Sequence, residues 1–223
     1  MSAGPDPVIN GLRFVVTGGG TREPIDPVRF IGNRSSGKMG NALALAALQH
    51  GAAVTLVTAG PAPAAQAGLE VVAVETAAEM HAAVRDALVG ARVLIMAAAV
   101  ADWRPQVVAG NKLKKGADTL TLELVPTVDI LRALRDAQAS QGVFAVGFAA
   151  ETEHVIDNAR AKLESKGLDL IVVNDVSRAD IGMGADDNEV TVIGRDGTLE
   201  TIARAPKPDV ADAIVRIIAS KLR

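Results

Sequence analysis

The sequence predicts an α/β fold of the Rossmann type, in which a mostly parallel sheet is flanked by helices. Apolar runs of strand length alternate along the chain with segments whose apolar residues recur at helical spacing. The run at 93–99 is apolar throughout, which is typical of a strand buried on both faces of a sheet. Two short runs on either side of Asp196 and Gly197 predict a β-hairpin near the C-terminus.

The first half of the chain begins with a proline- and glycine-rich segment, 1–10, which predicts a flexible lead-in or a linker remnant. We expect a single domain over 11–223. Pro24 and Pro27 exclude a helix before about Ser35, so a long polar loop follows the first strand. The periodic segments predict strands at 12–17, 53–58 and 69–74 and helices at 38–49 and 77–88.

The second half continues the alternation, with a charged loop at 103–118 after the central strand. Residues 119–125 alternate between apolar and polar side chains, which predicts a strand with one solvated face. The remaining segments predict strands at 93–99, 143–148, 168–173, 190–193 and 199–202 and helices at 129–139, 153–166 and 208–222.

The composition excludes several classes of protein. The formal net charge is −3 and the pI is about 5.6, so the chain as a whole does not attract nucleic acid or anionic membranes. The sequence has no cysteine and no tyrosine, which excludes disulfides, thiolate catalysis and a Tyr–Lys dehydrogenase site. Residues 1–10 do not resemble a signal peptide, and the longest apolar run, 93–101, is far shorter than a membrane span. We therefore expect a cytoplasmic protein without nucleic-acid or membrane partners.

The long loop after the first strand is a candidate ligand site. Gly18, Gly19 and Gly20 permit a tight turn and leave backbone N–H groups available to an anion. Segment 32–38 (GNRSSGK) matches G-x-x-x-x-G-K, but Met39 replaces the serine or threonine of a P-loop. The spacing of a dinucleotide fingerprint is not met either. Because a plain connecting turn would not explain the polar cluster before the helix, we predict a phosphate cradle made by Asn33, Arg34, Ser35, Ser36, Gly37 and Lys38.

A second candidate region follows the central strand. Asp102 lies at the carboxyl end of that strand, where ligands gather in open parallel sheets. Lys112, Lys114 and Lys115 come next, in a loop with two open interpretations. Such a loop is either a solvated surface or a lid that closes over a polyphosphate.

Other charged residues carry weaker signals. Lys162 and Lys166 stand four residues apart on one helical face, for which solvation is the simpler explanation. The three histidines are far apart in the sequence and predict structural roles rather than a metal site.

Five longer motifs contain most of these candidates. They read TGGGTREPIDPVRFIGNRSSGKMG, AAAVADWRP, NKLKK, VGFAAET and LIVVNDV. Their order and spacing resemble bacterial phosphopantothenoylcysteine synthetase, the CTP-dependent ligase of coenzyme A synthesis. The resemblance implies a Rossmann-like fold and a homodimer that holds 4′-phosphopantothenate at or near its interface. It also implies a possible flavin-dependent decarboxylase domain, fused ahead of the synthetase in many members.

The resemblance implies roles for individual residues. Asn33 matches the asparagine that positions and stabilises the acyl intermediate, and Lys112 matches a lid lysine that is important for catalysis and contacts the nucleotide. The other matched nucleotide positions are Met96, Ala97, Ala98, Asp102, Thr127, Val128, Asp129, Ile130, Phe148, Lys162 and Lys166. Thr127 and Val128 stand where the family often has asparagine and proline.

The implied reaction joins 4′-phosphopantothenate to L-cysteine in two steps. The carboxylate attacks the α-phosphate of CTP and releases pyrophosphate, and the cysteine amine then displaces CMP from the acyl-cytidylate. Positioned donors, lysines and Mg²⁺ serve such steps, and the sequence has no constellation for a covalent relay. From the residues alone, an NADP-binding reductase and a non-catalytic nucleotide-binding domain remain alternatives.

Overall fold

The computed structural model describes residues 4–116, 119–151, 153–175 and 184–223. It contains one eight-stranded sheet, two short two-stranded sheets and six helices within those ranges. The strands are β1 (Arg13–Gly19), β2 (Arg22–Pro24), β3 (Phe30–Gly32), β4 (Ala53–Ala59), β5 (Leu69–Ala73), β6 (Val93–Met96), β7 (Trp103–Pro105), β8 (Leu124–Pro126), β9 (Phe144–Glu151), β10 (Leu170–Asp175), β11 (Asp187–Gly194) and β12 (Leu199–Pro206). The helices are α1 (Lys38–Gln49), α2 (Ala77–Ala87), α3 (Ile130–Ala133), α4 (Arg135–Gln141), α5 (Val155–Ser165) and α6 (Lys207–Lys221).

The large sheet has the strand order β12-β11-β10-β9-β6-β1-β4-β5. The strands from β5 to β10 in this order pair in parallel, and β11 and β12 add an antiparallel hairpin at the margin. This confirms the predicted Rossmann-like α/β fold with a C-terminal hairpin. The strand order reverses between β1 and β6, and ligands bind in the crevice at such a switch point.

The core consists of two apolar layers, one on each face of the sheet. Phe14 and Val16 of β1 face the layer that contains α1 and α6, whereas Val15 faces the layer that contains α2 and α5. This alternation follows from the period of two in a strand. Because helices cover both faces, the central strands are continuously apolar rather than alternating.

The prediction of a strand at 119–125 is wrong for residues 119–123. Only β8 is a strand there, and it pairs with β7 inside the segment predicted as a loop. The second small sheet pairs β2 with β3 in the long loop after β1, and β2 contacts β7. The alternating pattern was a poor guide because a strand also needs a partner, and β7 is only three residues long.

Two other predicted boundaries change. The predicted helix at 129–139 is divided into α3 and α4 at Leu134, and Asp129 caps α3 by accepting the backbone N–H of Arg132 at 3.2 Å. The flexible lead-in does not extend through residues 6–10, because Ile9 is fully buried in the core. The backbone N–H of Asp6 also donates to the carbonyl of His50 at 3.1 Å.

The start of α1 packs against β1 through two glycines, Gly18 and Gly40. A Cβ on Gly40 would lie 2.6 Å from Cα of Gly18 and 2.7 Å from the carbonyl oxygen of Thr17. We expect Gly40→Ala to force the helix away from the strand and to destabilise the protein by about 1–3 kcal/mol in urea unfolding. Gly18→Ala is the matched control, because its Cβ would meet atoms only at 3.5 Å or more. Equal stability of the two variants would contradict this account.

Candidate functional site

A cavity of about 390 Å³ lies at the carboxyl ends of β6 and β9, beside the start of α1. Its volume falls in the range of small-molecule sites, and it occupies the switch point of the sheet. The predicted site residues that line it are Asn33, Ser35, Ser36, Gly37, Lys38, Met96, Ala97, Ala98, Asp102, Thr127, Val128, Asp129, Ile130, Phe148, Lys162 and Lys166.

One wall of the cavity is the segment 97–102, which continues from β6 after the ladder ends. The buried hydroxyl oxygens of Thr17 and Thr21 accept the N–H groups of Ala98 at 3.0 Å and Ala101 at 2.8 Å. The backbone N–H of Ala99 donates to the carbonyl of Gly19 at 2.9 Å. The first strand and the loop after it therefore hold this wall rigidly. The strand predicted at 93–99 is shorter than expected, because β6 ends at Met96.

The long loop enters the cavity through Asn33 and the start of α1. The amide Nδ2 of Asn33 donates to the carbonyl of Val100 at 3.0 Å, which ties the loop to the wall. Gly37, at φ 75°, precedes α1, so the first turn of this helix borders the cavity with N–H groups that helical bonding leaves available. Gly37 thus supplies the left-handed conformation that brings the helix start to this edge.

The segment after β8 forms the adjoining wall. The backbone N–H of Thr127 donates to the carbonyl of Asp102 at 2.9 Å, and its hydroxyl donates to the carbonyl of Ala101 at 2.5 Å. Thr127 therefore fastens this segment to the wall that follows β6. Asp102 is exposed at the edge between the two walls.

Lys162 and Lys166 of α5 reach the same cavity as Phe148. Lys162 pairs with Glu151 at 2.6 Å, and Lys166 lies 3.6 Å from the Asp129 carboxylate. The two lysines therefore border a polar cavity rather than an isolated solvent-facing surface. Their side chains are 45 % and 34 % exposed, which leaves them accessible to a ligand.

Five predicted site residues do not line the cavity: Gly18, Gly19, Gly20, Arg34 and Lys112. The glycines instead allow close packing of backbones. A Cβ on Gly19 would lie 2.5 Å from the carbonyl carbon of Ala59, and one on Gly20 would lie 2.7 Å from the carbonyl oxygen of Asn33. These glycines shape the loop, whereas Arg34 and Lys112 are exposed and do not line the cavity.

The loop that carries Lys112 is anchored to the first loop by Asp26. This carboxylate is buried and accepts the backbone N–H of Val28 at 2.8 Å, that of Arg29 at 2.9 Å and that of Leu113 at 3.0 Å. The guanidinium of Arg29 donates to Asp26 and also to the carbonyl of Leu113 at 2.8 Å. This guanidinium and the backbone donors lower the pKa of Asp26 below its ordinary value. Lys112 therefore neighbours a fixed point in the structure.

The sequence prediction missed several cavity residues, including Asn174, Asn188 and Lys207. Asn174 follows the apolar run of β10, so its place at a carboxyl end was a usable signal. Asn188 and Lys207 belong to the marginal hairpin and the start of α6, and their approach to the cavity depends on the order of strands.

Among the described residues, no group of three histidine, cysteine, aspartate or glutamate side chains is placed to hold a metal ion. His50 contacts Asp212 at 2.7 Å and so joins α1 to α6, away from the cavity. No helix in the described parts of the chain is long and apolar enough to cross a bilayer.

Comparison with known proteins gives consistent matches over nearly the whole chain. Residues 9–222 match the family model "DNA/pantothenate metabolism flavoprotein C-terminal domain". Coenzyme A biosynthesis bifunctional protein CoaBC of Bacillus subtilis is 46% identical over 95% of this chain and 52% of its own length. The corresponding protein of Vibrio cholerae is 42% identical over 96% of this chain and 54% of its own. The chain thus spans about half the length of these relatives.

Solved structures extend the comparison. The crystal structure of the C-terminal domain of a CoaBC protein has a TM-score of 0.80 and 38% identity, covering 96% of this chain and 97% of that one. A Cab2 variant in complex with phosphopantothenate-cysteine has a TM-score of 0.77 at 17% identity, covering 95% and 87% of the two chains, and shares the fold.

Proposed function

The chain belongs to the family of the DNA/pantothenate metabolism flavoprotein C-terminal domain, and on this premise we propose that it is a CTP-dependent ligase of 4′-phosphopantothenate and L-cysteine. The observation that carries the proposal is that four of the five resembling motifs, all except NKLKK, contribute residues to one cavity at the switch point of the sheet. The names of the relatives, which are coenzyme A biosynthesis proteins, support the same reaction.

The proposed reaction has two steps. A carboxylate oxygen of 4′-phosphopantothenate attacks the α-phosphorus of CTP, and the bond to the bridging oxygen breaks to release pyrophosphate. The cysteine amine then attacks the acyl carbon of the acyl-cytidylate and loses a proton, and CMP leaves with the electron pair of the broken bond. Both steps develop charge on oxygen atoms, so positioned donors and cations are what the protein must supply.

We assign the nucleotide to the walls after β6 and β8. The backbone groups of Met96, Ala97 and Ala98, together with the segment 127–130, offer a rigid polar edge for a base and a ribose. Phe148 provides an aromatic surface in the same cavity, and Lys162 and Lys166 provide positive charge. All of these residues line the cavity, which supports the assignment.

Asn33 and Lys112 differ in their position, because Asn33 lines the cavity and Lys112 does not. Asn33 already borders the cavity, so its amide is available to the acyl group there. Lys112 is exposed outside the cavity wall, on a loop fixed at Leu113, so its proposed contribution requires the loop to close over the bound reactants.

The donor set also fits Mg²⁺. This ion is usually bound by one or two carboxylates together with substrate phosphates and water, so it does not need a cluster of protein ligands. Asp102 and Asp129 are the acidic side chains of the cavity wall among the described residues. They would hold the ion against the phosphates, where it would neutralise charge on the leaving group.

A homodimer is supported by the apolar surface of the two small sheets. Phe30 and Trp103 are about half exposed, at 50% and 52%, and Val28 and Val107 are exposed still further. These side chains belong to the β2–β3 and β7–β8 sheets or their turns, and β2 contacts β7. Exposed apolar side chains grouped on two neighbouring small sheets are typical of interaction sites, and a twofold-symmetric contact would cover them.

The relatives also support a proposal about the cellular setting. Because this chain spans about half of each bifunctional relative, we propose that it acts with a flavin-dependent decarboxylase domain, either fused or separate. We also propose a cytoplasmic location for this protein.

One assay tests the proposed function against both alternatives. The protein is mixed with CTP, Mg²⁺ and 4′-phosphopantothenate, and pyrophosphate is measured before and CMP after the addition of cysteine. We expect pyrophosphate first and CMP only with cysteine. Binding of CTP without pyrophosphate release would favour the non-catalytic domain, and oxidation or reduction of NADP(H) without any need for CTP would favour the reductase.

Asp26→Asn tests the anchor of the Lys112 loop. The amide would place N–H groups where the carboxylate now accepts those of Arg29 and Leu113, so the loop should lose its fixed point. We expect a fall in kcat of roughly 10- to 100-fold, as for a catalytic group displaced by about 1 Å, with CTP affinity retained. Asp86→Asn, in the exposed pair with Arg85, is the control. An unchanged kcat for Asp26→Asn would mean that the anchor formed by Asp26 does not contribute to catalysis.

A further inference from the structure

One end of the cavity holds donors that the proposed reaction leaves without a role. Lys207, the first residue of α6, is 6% exposed, and Asn188 of β11 is 4% exposed. Both line the cavity together with Lys38 at the start of α1. Lysine is almost never fully buried unless its ammonium is paired, so the partners of Lys207 decide what this end of the cavity can bind.

The two lysines hold the same short segment, 184–187. The ammonium of Lys207 donates to the carbonyl oxygens of Ala185 and, at 3.4 Å, Asp187. That of Lys38 donates to the carboxylate of Asp186 at 2.6 Å and to the carbonyl of Gly184 at 3.3 Å. Lys38 and Lys207 are therefore neighbours across one strip of backbone.

Both ammonium groups retain a donor for a ligand. Each has three N–H bonds and, within the described ranges, makes two hydrogen bonds to protein. The side-chain Nδ2 of Asn188 lies 3.8 Å from the sulfur of Met39, which is a weak hydrogen-bond acceptor, so this amide can still donate to a ligand. This end of the cavity is consequently rich in available donors.

The electrostatics also favour an anion. Burial lowers the pKa of Lys207 below its ordinary value, and the charge of Lys38 lowers it further, whereas Asp186 and Asp187 act in the opposite direction. An anion between the lysines would offset both unfavourable effects. The first turn of the 12-residue helix α1 adds N–H groups and its positive dipole end on the same wall.

We propose that Lys207, Lys38 and Asn188 form a subsite for the terminal diphosphate of a nucleoside triphosphate, the part that leaves as pyrophosphate. The inference rests on the proposed function, because that reaction supplies a diphosphate leaving group. Two cations, an amide and a helix start match a multiply charged anion better than the single phosphate of 4′-phosphopantothenate. The subsite then stabilises the charge that forms as the bond to the α-phosphorus breaks.

The test is calorimetric titration with three probes: pyrophosphate with Mg²⁺, CMP, and 4′-phosphopantothenate. We expect Lys207→Met to weaken pyrophosphate binding about 10-fold or more, the loss of one charge-assisted hydrogen bond, while CMP and 4′-phosphopantothenate bind as before. Lys207→Arg should restore much of the pyrophosphate affinity. Lys221→Met is the control on the same helix, since Lys221 pairs with Asp196 away from the cavity.

The possible outcomes separate the subsite from the proposed reaction. Equal loss of all three affinities, or unchanged pyrophosphate affinity in a folded Lys207→Met protein, would overturn the subsite. A selective loss of 4′-phosphopantothenate affinity would overturn it in favour of the substrate phosphate. If Lys207→Met does not fold, Lys38→Met carries the same test. Pyrophosphate binding that depends on Lys207 without any ligase turnover would support the subsite and refute the proposed reaction.

Discussion

Asn33→Ala is expected to lower the rate of acyl-cytidylate formation or use by about 100-fold or more, the cost of removing one positioned donor at a reacting oxygen. One N–H of this amide is fixed to the carbonyl of Val100 at 3.0 Å, which sets the orientation of the group. Asn33 lines the cavity, and within the described ranges its second N–H and its amide oxygen have no hydrogen-bond partner in the protein, so they are available to a ligand. Alanine at position 33 removes both the groups available to a ligand and the hydrogen bond to Val100.

Quenched-flow measurement of the acyl-cytidylate distinguishes a catalytic role of Asn33 from a purely structural role in holding the loop. A catalytic Asn33 predicts slow formation or slow consumption of acyl-cytidylate in a protein whose thermal unfolding is little changed. Asn33→Asp keeps the shape but removes the N–H groups, so it should be nearly as impaired as alanine. Formation and consumption at the wild-type rates would leave Asn33 with a structural role only.

The sequence predicted the main elements because their burial is recorded in their periodicity. Continuous apolar character identified the central strands β1 and β6, and helical spacing identified α1, because helices cover both faces of the sheet. The same criterion failed where burial is not periodic. Ile9 fills the core from an irregular segment, and residues 119–123 alternate without being paired in a strand.

The candidate site was partly predictable for a topological reason. Parallel strands bring their carboxyl ends to one edge, so Asn33 and Asp102 could be expected to meet without knowledge of the strand order, whereas Phe148 was identified only through the family resemblance. Lys207 could not, since it reaches the cavity only because β11 pairs with β10 and places the start of α6 there. The buried hydroxyls of Thr17 and Thr21, which fix the cavity wall, were hidden within an apolar and a glycine-rich stretch.

Lys112→Ala should lower kcat by about 100-fold or more while the affinity for CTP changes little. The reason is that Lys112 is exposed outside the cavity wall, so it contributes little to binding before its loop closes. An interaction made mainly in the transition state affects kcat rather than ground-state binding, and the loss of one donor aimed at a developing charge costs about 100-fold or more. Steady-state kinetics combined with calorimetric titration of CTP measures the two quantities separately.

The same loop supplies the matched comparison. Lys115→Ala removes another exposed ammonium three residues further along the same loop, so general loss of positive charge would affect both variants alike. Lys112 differs because it adjoins Leu113, whose backbone is fixed by Asp26 at 3.0 Å and by Arg29 at 2.8 Å. A much larger loss for Lys112→Ala than for Lys115→Ala therefore indicates a positioned cation. Equal losses would mean that the loop acts only through its net charge, and the catalytic assignment of Lys112 would be wrong.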